Sequence, residues 1–469
     1  YKLRKIGISG TLLLWFMNYL NDRHQRVVVR GQQSEVGSIK AGVPQGSVLG
    51  PLLFLIYIDD ITLVTETKMK LFADDTSLYI EFDDPVQAAD KLNEDMLSIQ
   101  QWSEQWLVTF SPPKTKLVTC SYKNKDRVNA PIVFNGIQID SVENHKHLGL
   151  TLSANLGWST HIDSILNSVA SMADVMKKLK YDLDRKSLET TYFAFIRPKL
   201  EYASQIWDNC SKQDSDRLEN FQLSIARTVT GARKGTSHEL LYRETNWLPL
   251  SERRLLTKLK FLAKIEDNRC TEYLRSLLPE KVGATRPMSR YAEDFKIPKC
   301  RTETFKQSFI PSTIKAWNEL PNESRNEAYF KEQLKFKPTQ LYNVGNRINN
   351  VKHAQLRMNC SKLNAHLFQL HVTDTMQCPC GYDVEDSEHF LLHCPLYHIQ
   401  RLEMMQTIVN VEIEADDINK DLLLFGSQFY STEKNVTVLR LFTNSYLLLK
   451  DCKLFDTMVY SSLLIQMKK

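Results

Sequence analysis

The sequence predicts an α+β fold whose character changes part-way along its 469 residues. Up to about residue 150, alternating stretches that predict antiparallel hairpins are mixed with apolar helical stretches. Beyond that point the periodicity is that of amphipathic helices, and three of the nine cysteines cluster between Cys378 and Cys394. With 42% hydrophobic and 25% charged residues the composition is that of a globular protein, and the length predicts two or more domains.

The most informative stretch is a loop rich in glycine and proline, from Gly42 to Pro51, which is followed by a hairpin. Glycine allows a close approach between backbone and ligand, and Gln45 can both donate and accept hydrogen bonds. In the hairpin, apolar and polar residues alternate on both sides of Asp74 and Asp75, which are predicted at its tip. Such a pair is most often solvated turn structure, but it also offers the oxygen ligands that paired Mg²⁺ ions require.

Two motifs carry a resemblance to a known family. Residues 42–51 read Gly-Val-Pro-Gln-Gly-Ser-Val-Leu-Gly-Pro, and residues 72–75 read Phe-Ala-Asp-Asp. Together they resemble the reverse transcriptases of non-LTR retrotransposons of the jockey and CR1 type. The resemblance implies an RNA-directed DNA polymerase, which transfers nucleotides from dNTPs to the 3′-hydroxyl of a primer on an RNA template.

The resemblance also assigns roles to side chains of the first 150 residues. The expected site residues are Asp74 and Asp75 as ligands of two Mg²⁺ ions, Gln45, Gly46 and Phe72 in the nucleotide and template pocket, Lys114 near the leaving pyrophosphate, and Leu148 and Gly149 as the primer grip. A solvated loop lysine is the alternative for Lys114, and a structural turn is the alternative for Gly149. We interpret the second acidic pair, Asp59 and Asp60, as helix-end structure.

The chain begins at Tyr1 instead of Met, and its first residues already have the pattern of a helix interior. The resemblance places a third metal-binding carboxylate upstream of this point. We therefore expect an N-terminally truncated polymerase, and no primer extension by residues 1–469 alone. The competing interpretation is a decayed or co-opted protein that binds RNA or DNA without catalysis.

Four segments are expected along the chain. They are residues 1–150 as the C-terminal part of a polymerase palm, 151–250 as a helical thumb, 251–345 as a basic helical connection, and 346–469 as a small C-terminal domain that resembles a zinc knuckle. The names palm and thumb come from the resemblance. Within the thumb, periodicity predicts helices over residues 159–181, 186–208 and 214–230.

The connecting segment has a marked excess of positive charge. Residues 251–306 contain 14 lysines and arginines against 8 acidic residues. Arg253, Arg254 and Lys258 fall close together on one predicted helix. We expect either contact with the phosphates of RNA or DNA or an ordinary solvated helix face.

The cysteine cluster predicts a metal site. Cys378, Cys380, His389 and Cys394 supply three sulfurs and one imidazole, a donor set that suits tetrahedral Zn²⁺, with free buried cysteines as the alternative. They resemble the Cys-Cys-His-Cys motif of the non-LTR proteins, although one residue instead of two separates the first cysteines. On an α-helix His393 would share a face with His389, which makes it the rival fourth ligand. Because the segment is small and polar, we expect the metal to contribute most of its folding free energy.

Net charge, apolar runs and cysteine content limit which partners and which cellular compartment are expected. The formal net charge of +5 favours nucleic acid only weakly, and no apolar run approaches the roughly 20 residues of a membrane span, so no membrane partner is expected. An odd number of scattered cysteines argues for a reducing compartment, and we expect the protein in nucleus and cytoplasm. The resemblance implies three partners: the element's RNA template, a DNA primer or target, and dNTPs.

Overall fold

The computed structural model describes residues 1–121, 130–287, 290–335, 342 and 346–445. The chain divides into two units, Tyr1–Gly157 and Trp158–Lys469. The first mixes helices with short strands and the second is helical, in agreement with the α+β prediction. The expected divisions at residues 250 and 345 lie within the second unit, the latter outside the described residues, and they stay predictions.

The first unit contains four helices and twelve short strands among its described residues. In chain order these are α1 (Lys2–Lys5), α2 (Gly10–Leu20), β1 (Arg23–Gln25), β2 (Val28–Val29), β3 (Gln32–Gln33), β4 (Gly37–Ile39), α3 (Leu49–Ile58), β5 (Lys68–Phe72), β6 (Asp75–Tyr79), α4 (Pro85–Trp106), β7 (Lys116–Leu117), β8 (Val133–Phe134), β9 (Ile137–Gln138), β10 (Asp140–Ser141), β11 (Asn144–His147) and β12 (Leu150–Ser153).

The described strands form six two-stranded sheets, of which five are antiparallel and the β7–β10 pair is parallel. Between β8 and β9 the sequence Asn135-Gly136 predicts a two-residue hairpin turn, and the structure confirms it with both residues at positive φ. The alternation at residues 26–30 and 36–40 predicts a hairpin across residues 31–33, but in the structure the turn lies at Arg30–Gly31 and Gln32 already belongs to strand β3. Arg30 and Gly31 also have positive φ, so the two-residue turn takes the twist that a tight hairpin favours.

Helix α4 organises the core of the first unit. Its apolar face includes Ile99 and Trp102, which are 3% and 4% exposed, as the helical spacing predicts. Met69, Leu71 and Leu78 of the β5–β6 hairpin pack against the same core. The apolar face of the hairpin thereby fixes the position of the acidic turn at its tip.

The second unit contains helices α5 to α20 among its described residues, with two π-helical turns at Tyr192–Ile196 and His389–His393. The helices are α5 (Ser159–Lys178), α6 (Arg185–Thr191), α7 (Arg197–Glu201), α8 (Ser204–Trp207), α9 (Lys212–Thr230), α10 (His238–Thr245), α11 (Leu250–Glu266), α12 (Glu272–Ser276), α13 (Glu303–Gln307), α14 (Phe309–Asn318), α15 (Glu327–Gln333), α16 (Arg347–Arg357), α17 (Asn364–Gln369), α18 (His398–Val409), α19 (Lys420–Phe425) and α20 (Thr432–Ser445).

Of the three helices predicted over residues 159–230, the first and the third are confirmed as α5 and α9, and Gly231 ends α9 at positive φ. The predicted helix over residues 186–208 is instead divided into three α-helical pieces. A π turn at Tyr192–Ile196 interrupts it first, and Ala203, at φ +51°, ends the continuous helical path. A non-glycine residue in the left-handed region cannot continue a right-handed helix.

The basic face predicted on α11 is buried. Arg253 and Arg254 are 8% and 2% exposed, and their guanidinium groups bind Glu201 and Asp208 respectively. Lys258, 6% exposed, also binds Asp208, with 2.5 Å between Nζ and Oδ2. The prediction that these three residues contact phosphates is therefore wrong, because burial and ion pairing already commit their charges.

The C-terminal segment packs on an extensive apolar core, contrary to our expectation of a small polar knuckle. Phe390 and Leu391, both 0% exposed, belong to a buried cluster with residues of α16, α18, α19 and α20. Burial on this scale stabilises the surrounding helices by the hydrophobic effect. A metal would therefore fix a loop on an existing core and would not supply most of the folding free energy.

Candidate functional site

The acidic turn is the tip of the β5–β6 hairpin. Phe72 pairs with Asp75, which leaves Ala73 and Asp74 as the two turn residues. Both aspartates and Phe72 are exposed, so the carboxylates are accessible to ions and to a ligand. Ala73 has a φ of +51°, an unfavourable conformation for alanine of the kind that concentrates at functional turns.

The Gly42–Pro51 loop folds back on its own helix, α3. Ser47 Oγ donates to the Pro44 carbonyl at 2.8 Å and accepts from the Gly50 N–H at 2.9 Å. A Cβ at Gly50 would stand 2.7 Å from the same carbonyl oxygen, so this close approach requires glycine. Gln45 and Gly46 lie at the exposed outer part of the loop, with Gly46 at φ +80°, and the following helix packs into the core that holds the acidic hairpin.

The predicted primer grip is the turn of a second hairpin, β11–β12. Leu148 and Gly149 form its two-residue turn and have φ values of +47° and +84°. His147, the last residue of β11, places Nε2 3.2 Å from Oγ of Ser77 on β6. Ser77 is two residues after Asp75 and therefore lies on the same face of the hairpin. The structure thus brings the Leu148–Gly149 turn to the acidic hairpin.

Lys114 and the second acidic pair stand apart from this arrangement. Lys114 ends a 3-10 turn and is exposed, and no hydrogen bond or ion pair joins it to Asp74 or Asp75 in the part of the chain that the structure describes. Asp60 accepts from Lys2 Nζ at 2.7 Å and from Trp102 Nε1 at 3.0 Å, so it has the structural role expected of a helix-end residue.

The four predicted zinc ligands come together. One donor atom from each of Cys378, Cys380, His389 and Cys394 lies within 4.8 Å of the other three. The sulfurs of Cys378 and Cys394 are 3.7 Å apart, and Cys380 Sγ lies 3.3 Å from His389 Nε2. Gly381, at φ +94°, closes the tight Cys-Pro-Cys turn by donating to the Cys378 carbonyl at 2.9 Å.

The helix that carries His389 decides between the two candidate fourth ligands. It is a π turn, in which the Cys394 N–H donates to the His389 carbonyl at 2.7 Å. In a π turn the hydrogen bond joins residues that are five apart, which brings Cys394 beneath His389. The prediction for His393 assumed an α-helix. His393 is exposed and lies outside the four-residue cluster. Arg401 anchors the turn by donating to the carbonyls of Leu391 and Cys394.

Burial governs the ionisation of this cluster. It raises the pKa of the Cys378 thiol to about 12 and also raises that of Cys394, while a backbone hydrogen bond beside Tyr382 lowers the pKa of Cys380. Burial lowers the pKa of His389, which favours the neutral imidazole that binds metal. Three sulfurs and one neutral imidazole within one small volume fit tetrahedral Zn²⁺ in number and kind.

Sequence reasoning missed the contact between Ser77 and His147. Alternation predicted the strands that carry them, but the two residues are 70 positions apart and nothing in the pattern pairs them. It also missed the role of Lys2, whose Nζ lies over the rings of Tyr57, Trp102 and Trp106. A lone lysine near a chain end carries no signal of this kind.

Comparison with known proteins supports the resemblance. Residues 1–152 match the family model of "Reverse transcriptase (RNA-dependent DNA polymerase)". Over 243 residues the chain is 29% identical to the "Probable RNA-directed DNA polymerase from transposon BS" and 30% identical to the "RNA-directed DNA polymerase from mobile element jockey", both of Drosophila melanogaster. These matches cover 49% and 50% of the chain, but 26% of each relative.

A third relative extends the similarity along most of the chain. The "Retrovirus-related Pol polyprotein from type-1 retrotransposable element R1 2" of Nasonia vitripennis is 22% identical over 408 residues, which is 82% of this chain and 93% of that protein. With the loop and the acidic hairpin in one folded unit, the comparisons agree with the motifs. Residues 1–152 therefore match the reverse transcriptase family, and the relatives of the chain are proteins of non-LTR retrotransposons.

Proposed function

We propose that residues 1–152 carry part of the nucleotidyl transfer site of an RNA-directed DNA polymerase. The observation that carries this proposal is the contact between the two turns, since the Ser77–His147 pair joins the Leu148–Gly149 turn to the face that bears Asp75. A polymerase must hold the primer end beside its metal-binding carboxylates. The family match to the same residues supports the assignment.

In the proposed reaction the primer 3′-oxygen forms a bond to the α-phosphorus of a dNTP, while the bond from that phosphorus to the bridging oxygen of pyrophosphate breaks. The 3′-hydroxyl loses its proton and pyrophosphate leaves. Asp74 and Asp75 would hold two Mg²⁺ ions, which lower the pKa of the hydroxyl and neutralise the leaving group when bound. The Gln45–Gly46 loop would contact template and nucleotide, with Phe72 beside it, and the Leu148–Gly149 turn would support the primer.

Primer extension on an RNA template tests this proposal. The polypeptide to assay is residues 1–469 joined at Tyr1 to the segment that precedes the matching region in the jockey polymerase, because the resemblance places one carboxylate there. Asp74→Asn and Asp75→Asn should each reduce extension about 10³-fold, or roughly 4 kcal/mol of barrier. The matched control is Asp83→Asn, an exposed aspartate outside the hairpin, which should leave the rate unchanged.

Two outcomes would contradict the proposal. If the Asp74→Asn protein extends the primer at a rate within a few fold of the protein without substitutions, the assignment of Asp74 as a metal ligand is wrong. No extension by the joined polypeptide without substitutions, with retained affinity for RNA or DNA, would favour the alternative of a non-catalytic nucleic-acid-binding protein.

We also propose that Cys378, Cys380, His389 and Cys394 hold one Zn²⁺ with a structural role. The proximity of the four donor atoms supports it, and so does the anchoring of the π turn by Arg401. A bound ion would connect the Cys-Pro-Cys turn to the end of the π turn. The purified chain should contain about one zinc per molecule, and Cys378→Ser should abolish it.

We propose further that the protein acts in nucleus and cytoplasm, with the element's RNA, a DNA primer or target and dNTPs as partners. The eight described cysteines are all free, which suits a reducing compartment. Among the described helices, none has both the length and the apolar character of a membrane span. Fractionation of expressing cells tests the location, and recovery with secreted proteins would contradict it.

A further inference from the structure

The second unit contains a cleft of about 460 Å³ that is lined by one buried lysine and two exposed ones. We call it the lysine cleft, after Lys258, Lys306 and Lys315. Its size falls in the range of small-molecule and nucleotide sites. The other lining residues are Asp208, Asn209, Ile297, Pro298, Cys300, Gln307, Pro311 and Ser312.

Charge in the cleft is positive and only partly neutralised. Its three lysines face one acidic lining residue, Asp208, which leaves a formal charge of +2. Asp208 is shared, because it binds Arg254 Nε at 2.6 Å as well as Lys258 Nζ at 2.5 Å. The Nη1 of Arg254 is buried without a hydrogen-bond acceptor in the part of the chain that the structure describes. One carboxylate thus serves two buried cations on this side of the cleft.

Lys306 and Lys315 are the accessible cations. Lys306 pairs with Glu303 at 3.2 Å, but both side chains are more than 60% exposed, so a ligand can replace this weak pair. Lys315 is exposed on α14 and has no ion pair with any residue within the described ranges. Lys258 Nζ donates to Ser312 Oγ at 3.3 Å, and this hydroxyl donates in turn to the Ser308 carbonyl at 2.8 Å, so the ligand is left to the two exposed lysines.

Part of the remaining wall is apolar. Ile297 is 62% exposed, and Pro298 and Pro311 stand beside it in the cleft lining. A ligand that carries negative charge on one side and a flat or apolar surface on the other would fit both the lysines and the apolar wall of the cleft. A nucleotide has this character, because its phosphate is anionic and its base and sugar offer apolar faces.

We propose that the lysine cleft binds a nucleotide unit of single-stranded nucleic acid, with a phosphate on Lys306 and Lys315 and the base or sugar against Ile297 and Pro298. The residues of the cleft belong to the second unit and those of the proposed transfer site to the first, and this inference does not depend on polymerase activity. Binding without extension would therefore contradict only the proposed function, and extension without binding at the cleft would contradict only this inference.

The test compares two double variants of the full chain. Lys306→Gln with Lys315→Gln removes the accessible cations of the cleft, whereas Lys186→Gln with Lys212→Gln removes two exposed lysines elsewhere in the same unit. Affinity for a short single-stranded RNA is measured by fluorescence anisotropy at several salt concentrations. The cleft variant should flatten the log–log salt slope by about 0.7 for each phosphate lost, and the control should leave the slope unchanged.

Two results would overturn the inference. The first is an identical salt slope in the cleft variant and the unchanged protein. The second would come from measuring the binding of a deoxynucleoside monophosphate, which distinguishes a free nucleotide from a strand as the source of the phosphate. If this probe binds as tightly as the strand and the cleft variant loses both, the ligand is a free nucleotide and not a strand.

Discussion

His147 and Ser77 hold two turns of the first unit together. Their Nε2 and Oγ atoms are 3.2 Å apart, although the residues are separated by 70 positions in the chain. His147 directly precedes the Leu148–Gly149 turn, and Ser77 follows Asp75 by two residues on the same face. In the proposed polymerase this contact would set the distance between the primer end and the metal-binding carboxylates.

A double-mutant cycle on this pair gives the first prediction. His147→Phe and Ser77→Ala should each lower kcat for primer extension about 10-fold with little change in the KM for dNTP, because a displaced turn misplaces the primer. The double variant should lose no more than either single one, since both remove the same contact. His147→Gln, which keeps a hydrogen-bonding side chain, should recover part of the rate. Fully additive losses, or losses that follow thermal stability alone, would contradict the positioning role.

The buried ion pair of Arg253 gives the second prediction. Arg253→Met should lower the free energy of unfolding by about 3 kcal/mol, because it leaves the largely buried Glu201 without its partner. It should leave the salt slope of RNA binding unchanged, since the guanidinium is already bound. Lys186→Met, at an exposed position, is the control and should change neither quantity. An Arg253→Met protein of unchanged stability, with a flatter salt slope of RNA binding, would support the original prediction that Arg253 contacts phosphate.

The π turn gives the third prediction. Cys394→Ser should lose zinc, and His393→Gln should retain about one ion, because the π turn directs Cys394 and not His393 to the cluster. Chelation should release hydrogen-exchange protection around the Cys-Pro-Cys turn while the core around Phe390 and Leu391 stays protected. Retention of zinc by Cys394→Ser together with its loss from His393→Gln would reverse the assignment. Loss of protection throughout the core on chelation would support the original expectation of a small domain whose folding depends on metal.

The buried His366 gives the fourth prediction, which concerns pH. Burial lowers the pKa of its imidazole to about 4, and Nδ1 accepts from the Ser361 backbone N–H at 3.3 Å, so the folded protein holds the neutral ring. The unfolded chain takes up this proton near pH 6.5 and the folded chain only near pH 4. The contribution of His366 is therefore complete above pH 6.5 and is lost as the pH falls towards 4, by at most about 3 kcal/mol.

Chemical denaturation of the chain in chelator, at a series of pH values, measures this loss without a contribution from metal release. His366→Gln should flatten the fall in unfolding free energy between pH 6.5 and 4. The buried His353, whose pKa is also lowered by burial, should keep part of the slope in that variant. An unchanged slope in His366→Gln would mean that the ring is already charged, or accessible to solvent, in the folded protein.

Local patterns were sufficient for much of this protein. The loop at Gly42–Pro51, the acidic hairpin and the turn at Asn135–Gly136 depend on residues that are close in sequence, so periodicity and turn chemistry predicted them. The cysteine cluster was also predicted, with Cys394 or His393 as its fourth member, because donor types and short spacing are a chemical signal in themselves.

Three features were decided only by the tertiary structure. The charges of Arg253, Arg254 and Lys258 are visible in the sequence, but their burial depends on carboxylates that lie about 50 residues away along the chain. The fourth member of the cysteine cluster depends on one extra residue in a helical turn. That turn packs on the neighbouring core and is bonded by Arg401. The contact between Ser77 and His147 joins two hairpins that are each locally encoded. Sequence determines such elements through their nearest neighbours, whereas their mutual placement depends on which apolar faces are buried together, and that is a property of the whole core.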